Sequence, residues 1–168
     1  MATKYEELGE AHKVALVRSA EYERNSQQFV LRLIQELYSL LECPEGRILV
    51  CPASAELKED TRYTIPGTME PNEDGYWHIG VILTIATKIS PTLRTRFYLM
   101  FKGQDGVFVV RVTPEGKDLR VRTTEAADFR AVAEQMFLLV KEYLDSGLDR
   151  FLAQGASTRT IGFNNLPT

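Results

Sequence analysis

Between Tyr76 and Thr123 apolar and polar residues alternate in four segments separated by short turn signals, the period of two that marks half-buried β-strands. In the first, Trp77, Ile79, Val81, Leu83 and Ile85 fall on one face. After the turn at Ser90-Pro91-Thr92, Phe97, Leu99 and Phe101 take one side, with Arg94, Arg96, Tyr98, Met100 and Lys102 on the other. Gly103-Gln104-Asp105-Gly106 is a hairpin connection, because glycine at both ends admits positive φ. Phe108, Val110 and Val112 follow, then a turn at Pro114 to Lys117, then Leu119 and Val121 alternating with Arg120 and Arg122.

The period changes to the helical one on both sides. Residues Lys4 to Glu42 contain no proline and only Gly9, and are rich in good helix formers. Phe29, Val30, Leu33, Ile34, Leu37, Leu40 and Leu41 form one apolar stripe, whereas Leu8, Ala11, Val14, Ala15, Val17 and Tyr22 form a thinner, drifting one. Asn25 with Gln28 three residues on offers a capping arrangement, so the segment reads as one helix or as two with a break near Asn25. The thin stripe needs cover, either from the chain's own sheet or from a second copy. A second helix starts after Thr124, the expected N-cap, with the stripe Phe129, Val132, Ala133, Met136, Phe137, Val140, Tyr143 and Leu144. It is wide enough to cover one sheet face.

Cys43-Pro44-Glu45-Gly46 ends the first helix, and Arg47 to Cys51, closed by Pro52, reads as an edge strand. Ala53 to Gly75 is irregular and acidic, with a helical turn expected at Glu56 to Asp60 and a short strand at Arg62 to Ile65. Ala156 to Thr168 reads as a polar tail that docks by Ile161, Phe163 and Leu166. The whole predicts one α+β domain over residues 1–168: an antiparallel β-meander of four to six strands, a long N-terminal helical segment (1–43), an irregular acidic segment (53–75) and a long amphipathic C-terminal helix packed on one sheet face.

Composition narrows the class. With 44% hydrophobic and 26% charged residues the chain has the makings of a core and is unlike a disordered one. No run reaches the roughly 18 to 20 apolar residues of a membrane span, and the acidic start, Met1 to Glu7, lacks a signal-peptide layout, which predicts a cytoplasmic protein. Cys43 and Cys51 match neither a redox nor a zinc spacing and read as reduced thiols. The net charge of −3 argues against general nucleic-acid affinity. The charge is nonetheless uneven: between Tyr76 and Arg122 basic residues far outnumber Asp105, Glu115 and Asp118.

That asymmetry supplies the main candidate site. Arg94, Arg96, Tyr98, Arg111, Arg120 and Arg122 share the outward sheet face if the strands pair in simple hairpin registers, and guanidinium groups suit carboxylates. A pocket closed by the irregular segment and lined by Tyr63, Trp77 and His78 is the alternative, with His78 the one candidate general base. Glu70, Glu73 and Asp74 match no EF-hand spacing, and no phosphate-binding, zincin or serine-hydrolase motif is present. No cofactor or metal is therefore expected. The reading is a non-enzymatic protein-interaction or adaptor module, homodimeric, with an acidic protein partner on the basic face; the alternative is a small-ligand-binding protein or enzyme with its pocket between the sheet and the C-terminal helix.

Overall fold

A computed structural model describes residues 3–54, 56, 61–86, 88, 92–147, 149, 153 and 163–166. The element order is α1 (Lys4–Leu41), β1 (Ile48–Cys51), a 3-10 turn (Pro66–Thr68), β2 (Glu70–Pro71), β3 (Trp77–Ile85), β4 (Leu93–Gln104), β5 (Val107–Arg111), β6 (Leu119–Arg122), α2 (Ala126–Asp145) and β7 (Phe163–Leu166). The fold is α+β, with all strands antiparallel in the order β1-β3-β4-β5-β6. The two long strands, β3 and β4, pair along their inner edges from Trp77 opposite Phe101 to Ile85 opposite Leu93. Each carries two short strands on its outer edge. β1 and β2 share that of β3, while β5 and β7 share that of β4.

α1 is one continuous helix. Thr3 and Glu6 start it with a reciprocal capping box, the Glu6 N–H donating to Thr3 Oγ1 at 3.2 Å and the Thr3 N–H to Glu6 Oε2 at 2.6 Å. No break occurs at Asn25. Leu8, Ala15, Tyr22 and Phe29 recur at seven-residue intervals, so a single face runs through that point. Tyr22 also fixes the helix against the sheet, stacking on Trp77 at 6.3 Å and accepting the Gly103 N–H at 3.2 Å. At the other end Glu42 takes the left-handed conformation (φ 47°) and donates its N–H to the Tyr38 carbonyl, closing the helix before Pro44.

The core lies between the odd-numbered face of β3 and the two helices, which pack side by side. Ile79, Val81, Phe97, Leu99, Phe101, Phe108, Val110 and Val121 meet Phe29, Val30, Leu33 and Leu37 of α1 and Phe129, Val132, Ala133 and Met136 of α2. Phe29 is the central ring: its centroid is 4.1 Å from Phe108, 5.3 Å from Phe129 and 5.4 Å from Phe101. Gly103 makes room for that cluster, since a Cβ there would sit 2.6 Å from Phe108 Cε1. Tyr38 ties β1 to α1 by donating its hydroxyl to the Ile48 carbonyl (2.8 Å) and accepting the Ile48 N–H (3.1 Å).

Four expectations are corrected. Residues 61–64 form no strand; the regular pieces of that segment are instead the 3-10 turn at Pro66–Thr68 and β2. The N-cap of α2 is Glu125, without a side-chain cap bond, and the Asp128 carboxylate in the first turn instead accepts from Arg122. Phe137 and Leu144 belong to the apolar stripe of α2 yet are 41% and 42% exposed, because they line an open cavity rather than the packed core. The tail contains a strand, β7, where Phe163 to Leu166 pair with Arg94 to Phe97 of β4. The expected helical turn at Glu56 to Asp60, apart from Glu56 itself, and Leu148, Phe151, Leu152 and Ile161 lie outside the described residues.

Candidate functional site

The strand registers place all six predicted docking residues on the second, even-numbered face. Ile82 stands opposite Arg96, Gly80 opposite Tyr98, Thr84 opposite Arg94, Met100 opposite Arg111, Val109 opposite Arg120 and Val107 opposite Arg122. The face is much less open than a solvated sheet. Ile82 and Met100 are buried on it, as are Cys51 and Arg96. The cover comes from the irregular segment: Arg62 and Tyr63 line a small cavity with Ile82 and Arg94, and Ser54, Glu70 and Asn72 line a cleft with His78 and Tyr98.

Internal partners engage much of the positive charge. Arg111 donates to Asp118 at 2.5 Å and lies 5.0 Å from the Tyr76 ring centroid, and that hydrogen bond holds the Asp118 carboxyl below its usual range. Lys102 lies 4.4 Å from the same ring. Arg122 is held by Asp128. Arg96 rests over Tyr98 at 5.4 Å and adjoins the buried Cys51, whose thiol is pushed up by burial against the opposing pull of the Arg96 charge. Of the six, Arg120 is the exposed one without a carboxylate partner among the described residues, and Arg94 is half-buried.

Gly80 explains how Cys51 fits. A Cβ on Gly80 would fall 2.5 Å from Cys51 Sγ, so the thiol occupies the space a side chain would take. A glycine inside a strand signals such a close approach, and this one stands in the middle of an otherwise large-residue strand.

Tyr63, Trp77 and His78 do not share a pocket. Adjacent strand residues point to opposite faces, so Trp77 turns to Tyr22 on the helix side while His78 turns to the second face, and Tyr63 lies over the edge strand. His78 has its own surroundings: Nε2 is 2.9 Å from Asp74 Oδ2 and 3.4 Å from Asn72 Nδ2. Asp74 also accepts the Tyr76 N–H at 2.9 Å, and chiefly for that reason its carboxyl sits below the ordinary range. Nearby, the Ser54 hydroxyl and N–H both donate to Glu70, at 2.5 and 3.0 Å. This polar cleft of about 450 Å³ joins residues that sequence spacing could not connect. Glu70 in its lining and Asp74 beside it orient neighbours within the segment, and among the described residues no three metal-ligating side chains converge.

Two features lie outside the predicted sites. On the core side, an apolar cavity of about 420 Å³ opens between the end of α1, the end of β3 and the C-terminal half of α2, in the sheet-to-helix position of the expected pocket but without Tyr63, Trp77 or His78 in its lining. The other is the N-terminal part of α1: residues 4–25 are exposed throughout, and the buried stripe begins only at Ser26. At 1.5 Å per residue the exposed part is about 33 Å long. Val14, Leu16 and Val17 are 55%, 57% and 55% exposed along it, and Leu8 69%. Among the described residues no helix is long and apolar enough to cross a membrane. Set against protein-family models, curated proteins and solved structures, the chain matches none of them.

Proposed function

We propose that the chain is a non-enzymatic protein-interaction module that joins copies of itself through the α1 arm, residues 4–25. The observation that carries this reading is the exposure of the arm's whole apolar face. Leu8, Ala15 and Tyr22 continue, seven residues apart, the face that buried Phe29 occupies in the core. Isolated helices of this length are marginal in water, and their stability comes from packing an apolar face. A partner surface supplies what the sheet, ending at Tyr22, does not.

A second copy suits the arm better than a lipid surface. The arm holds Lys4, Lys13, Arg18 and Arg24 against Glu6, Glu7, Glu10, Glu21 and Glu23, an acidic balance that anionic membranes repel. Its first half carries Glu6, Glu7 and Glu10 with Lys4 and Lys13, and its second half carries Arg18 and Arg24 with Glu21 and Glu23. Antiparallel pairing of two arms about a two-fold axis, the commonest arrangement of homodimers, covers the same apolar face on both copies. Sedimentation equilibrium of the full chain at tens of micromolar should give twice the 19.1 kDa chain mass, and Leu8→Glu with Leu16→Glu should return it to one chain with unchanged circular dichroism in the strand region. A wild-type mass of one chain at that concentration sinks the proposal.

A second reading keeps the sheet face as the seat of an acidic partner segment. Exposed Arg120, with Arg94 at the far end of β4, favours it. Charge reversal at both positions should then abolish capture of an acidic peptide while leaving self-association intact; unchanged capture removes this reading alone.

A further inference from the structure

The cavity between α1, β3 and α2 differs in chemistry from the two recesses on the second sheet face. Leu37, Leu83, Phe97, Met136 and Val140 form its walls, all of them buried in the core. Its volume of about 420 Å³ falls within the range of small-molecule sites. No acidic side chain lines it among the described residues, and the charged groups present are two cations, Arg47 and Lys141. Lys141 is paired with Asp145 at 2.5 Å. Arg47 has no carboxylate partner among the described residues, and its backbone is fixed, since the Thr84 N–H donates to its carbonyl at 2.8 Å and its own N–H donates to the Pro44 carbonyl at 3.3 Å.

We infer that this cavity binds an amphiphile with an apolar chain and a single anionic head, the chain among the core side chains and the head on the Arg47 guanidinium. Charge selects this occupant. An apolar molecule without a head would leave Arg47 without a counter-charge, whereas a carboxylate meets the planar fork with two hydrogen bonds, the geometry in which arginine binds most strongly. A cationic amphiphile would be repelled by both rim groups. The site also carries its own reporter: Cys43 lines the cavity and is half-buried, while Cys51 is fully buried away from it, so the two thiols differ in access.

The test uses the full chain with dodecanoate and, as the neutral control, dodecanol. Saturable binding of dodecanoate is expected, together with several-fold slower reaction of Cys43 with a thiol reagent when it is present. Arg47→Gln should weaken dodecanoate about tenfold and leave dodecanol unchanged. Val140→Trp, which fills the cavity from α2, should abolish binding of both; its fold is checked by circular dichroism, and if it does not fold, the Arg47→Gln comparison and Cys43 protection decide alone. The inference is overturned by failure of dodecanoate to bind or to protect Cys43, by equal loss of acid and alcohol in Arg47→Gln, or by full binding in folded Val140→Trp.

Discussion

Asp128 holds Arg122 by three hydrogen bonds, accepting Nε at 2.7 Å, Nη2 at 3.0 Å and the Arg122 backbone N–H at 3.0 Å. The carboxylate thereby joins the last residue of β6 to the first turn of α2. These bonds, the side-chain one first, lower the Asp128 pKa from 3.8 to about 2. A carboxylate whose pKa is depressed by folding stabilises the fold above its unfolded value, and that contribution is lost as pH falls through the folded one. The Asp128-dependent part of stability should therefore be whole above pH 3.8 and disappear towards about pH 2. Urea unfolding of wild type and Asp128→Asn across that window should show the two midpoints converging; parallel curves would exclude the pair from acid stability.

Gly80→Ala should destabilise the protein by about 1–3 kcal/mol, the usual range for an added group in a filled site. The new methyl would meet Cys51 Sγ at 2.5 Å, and the Cys51 backbone carbonyl at 3.3 Å limits retreat. Combining it with Cys51→Ala removes the thiol and should recover much of the loss. Denaturant midpoints of the two singles and the double decide the point, since additive effects mean the contact is irrelevant.

Phe29→Ala should cost about 3–5 kcal/mol, at the high end for core truncations. Its ring is in contact with Phe101, Phe108 and Phe129, which come from two strands and the other helix, so no single neighbour can collapse into the space. Calorimetry of the variant against Leu31→Ala, a 40% exposed position on the same helix, separates the core effect from helix propensity.

Tyr38→Phe should loosen β1 selectively. The hydroxyl serves both the carbonyl and the N–H of Ile48, and removing it leaves two part-buried backbone groups unsatisfied at about 1–3 kcal/mol. Amide exchange at the β1 positions paired to β3 should accelerate more than at the centre of β4. Uniform acceleration would instead mean global destabilisation.

Much of this architecture was legible because it rests on local periods. Alternation identified β3 to β6 and their buried side, Pro52 placed β1 at an edge, and Gly106 marked the hairpin, although the positive φ angles fall at Asp105 and Gly106 and Gly103 is a β4 residue. Elements decided by distant partners were not legible. β7 is Phe-Asn-Asn-Leu, a poor strand by composition, and it pairs because β5 leaves part of the β4 edge vacant. The contact of Tyr22 with Trp77, which seats α1 on the sheet just before Asn25, joins residues far apart in the chain. The registers gather the basic residues on one side of the sheet, but the burial of Arg96 beside Cys51 and Gly80 rests on the pairing of β1 with β3, which no local period announces. Grouping Trp77 with His78 neglected the same alternation that had located the strand.

The shared outer edge of β4 bears on how the chain is made. Arg94 to Phe97 present backbone donors and acceptors that find partners in β7, and β7 is the last described strand to leave the ribosome. Until then the nascent sheet has a bare edge in its central strand, the kind of surface to which a foreign strand adds. Chains released before Phe163 should thus be the ones that aggregate or engage chaperones during synthesis, even though the helices and the inner strands are already complete.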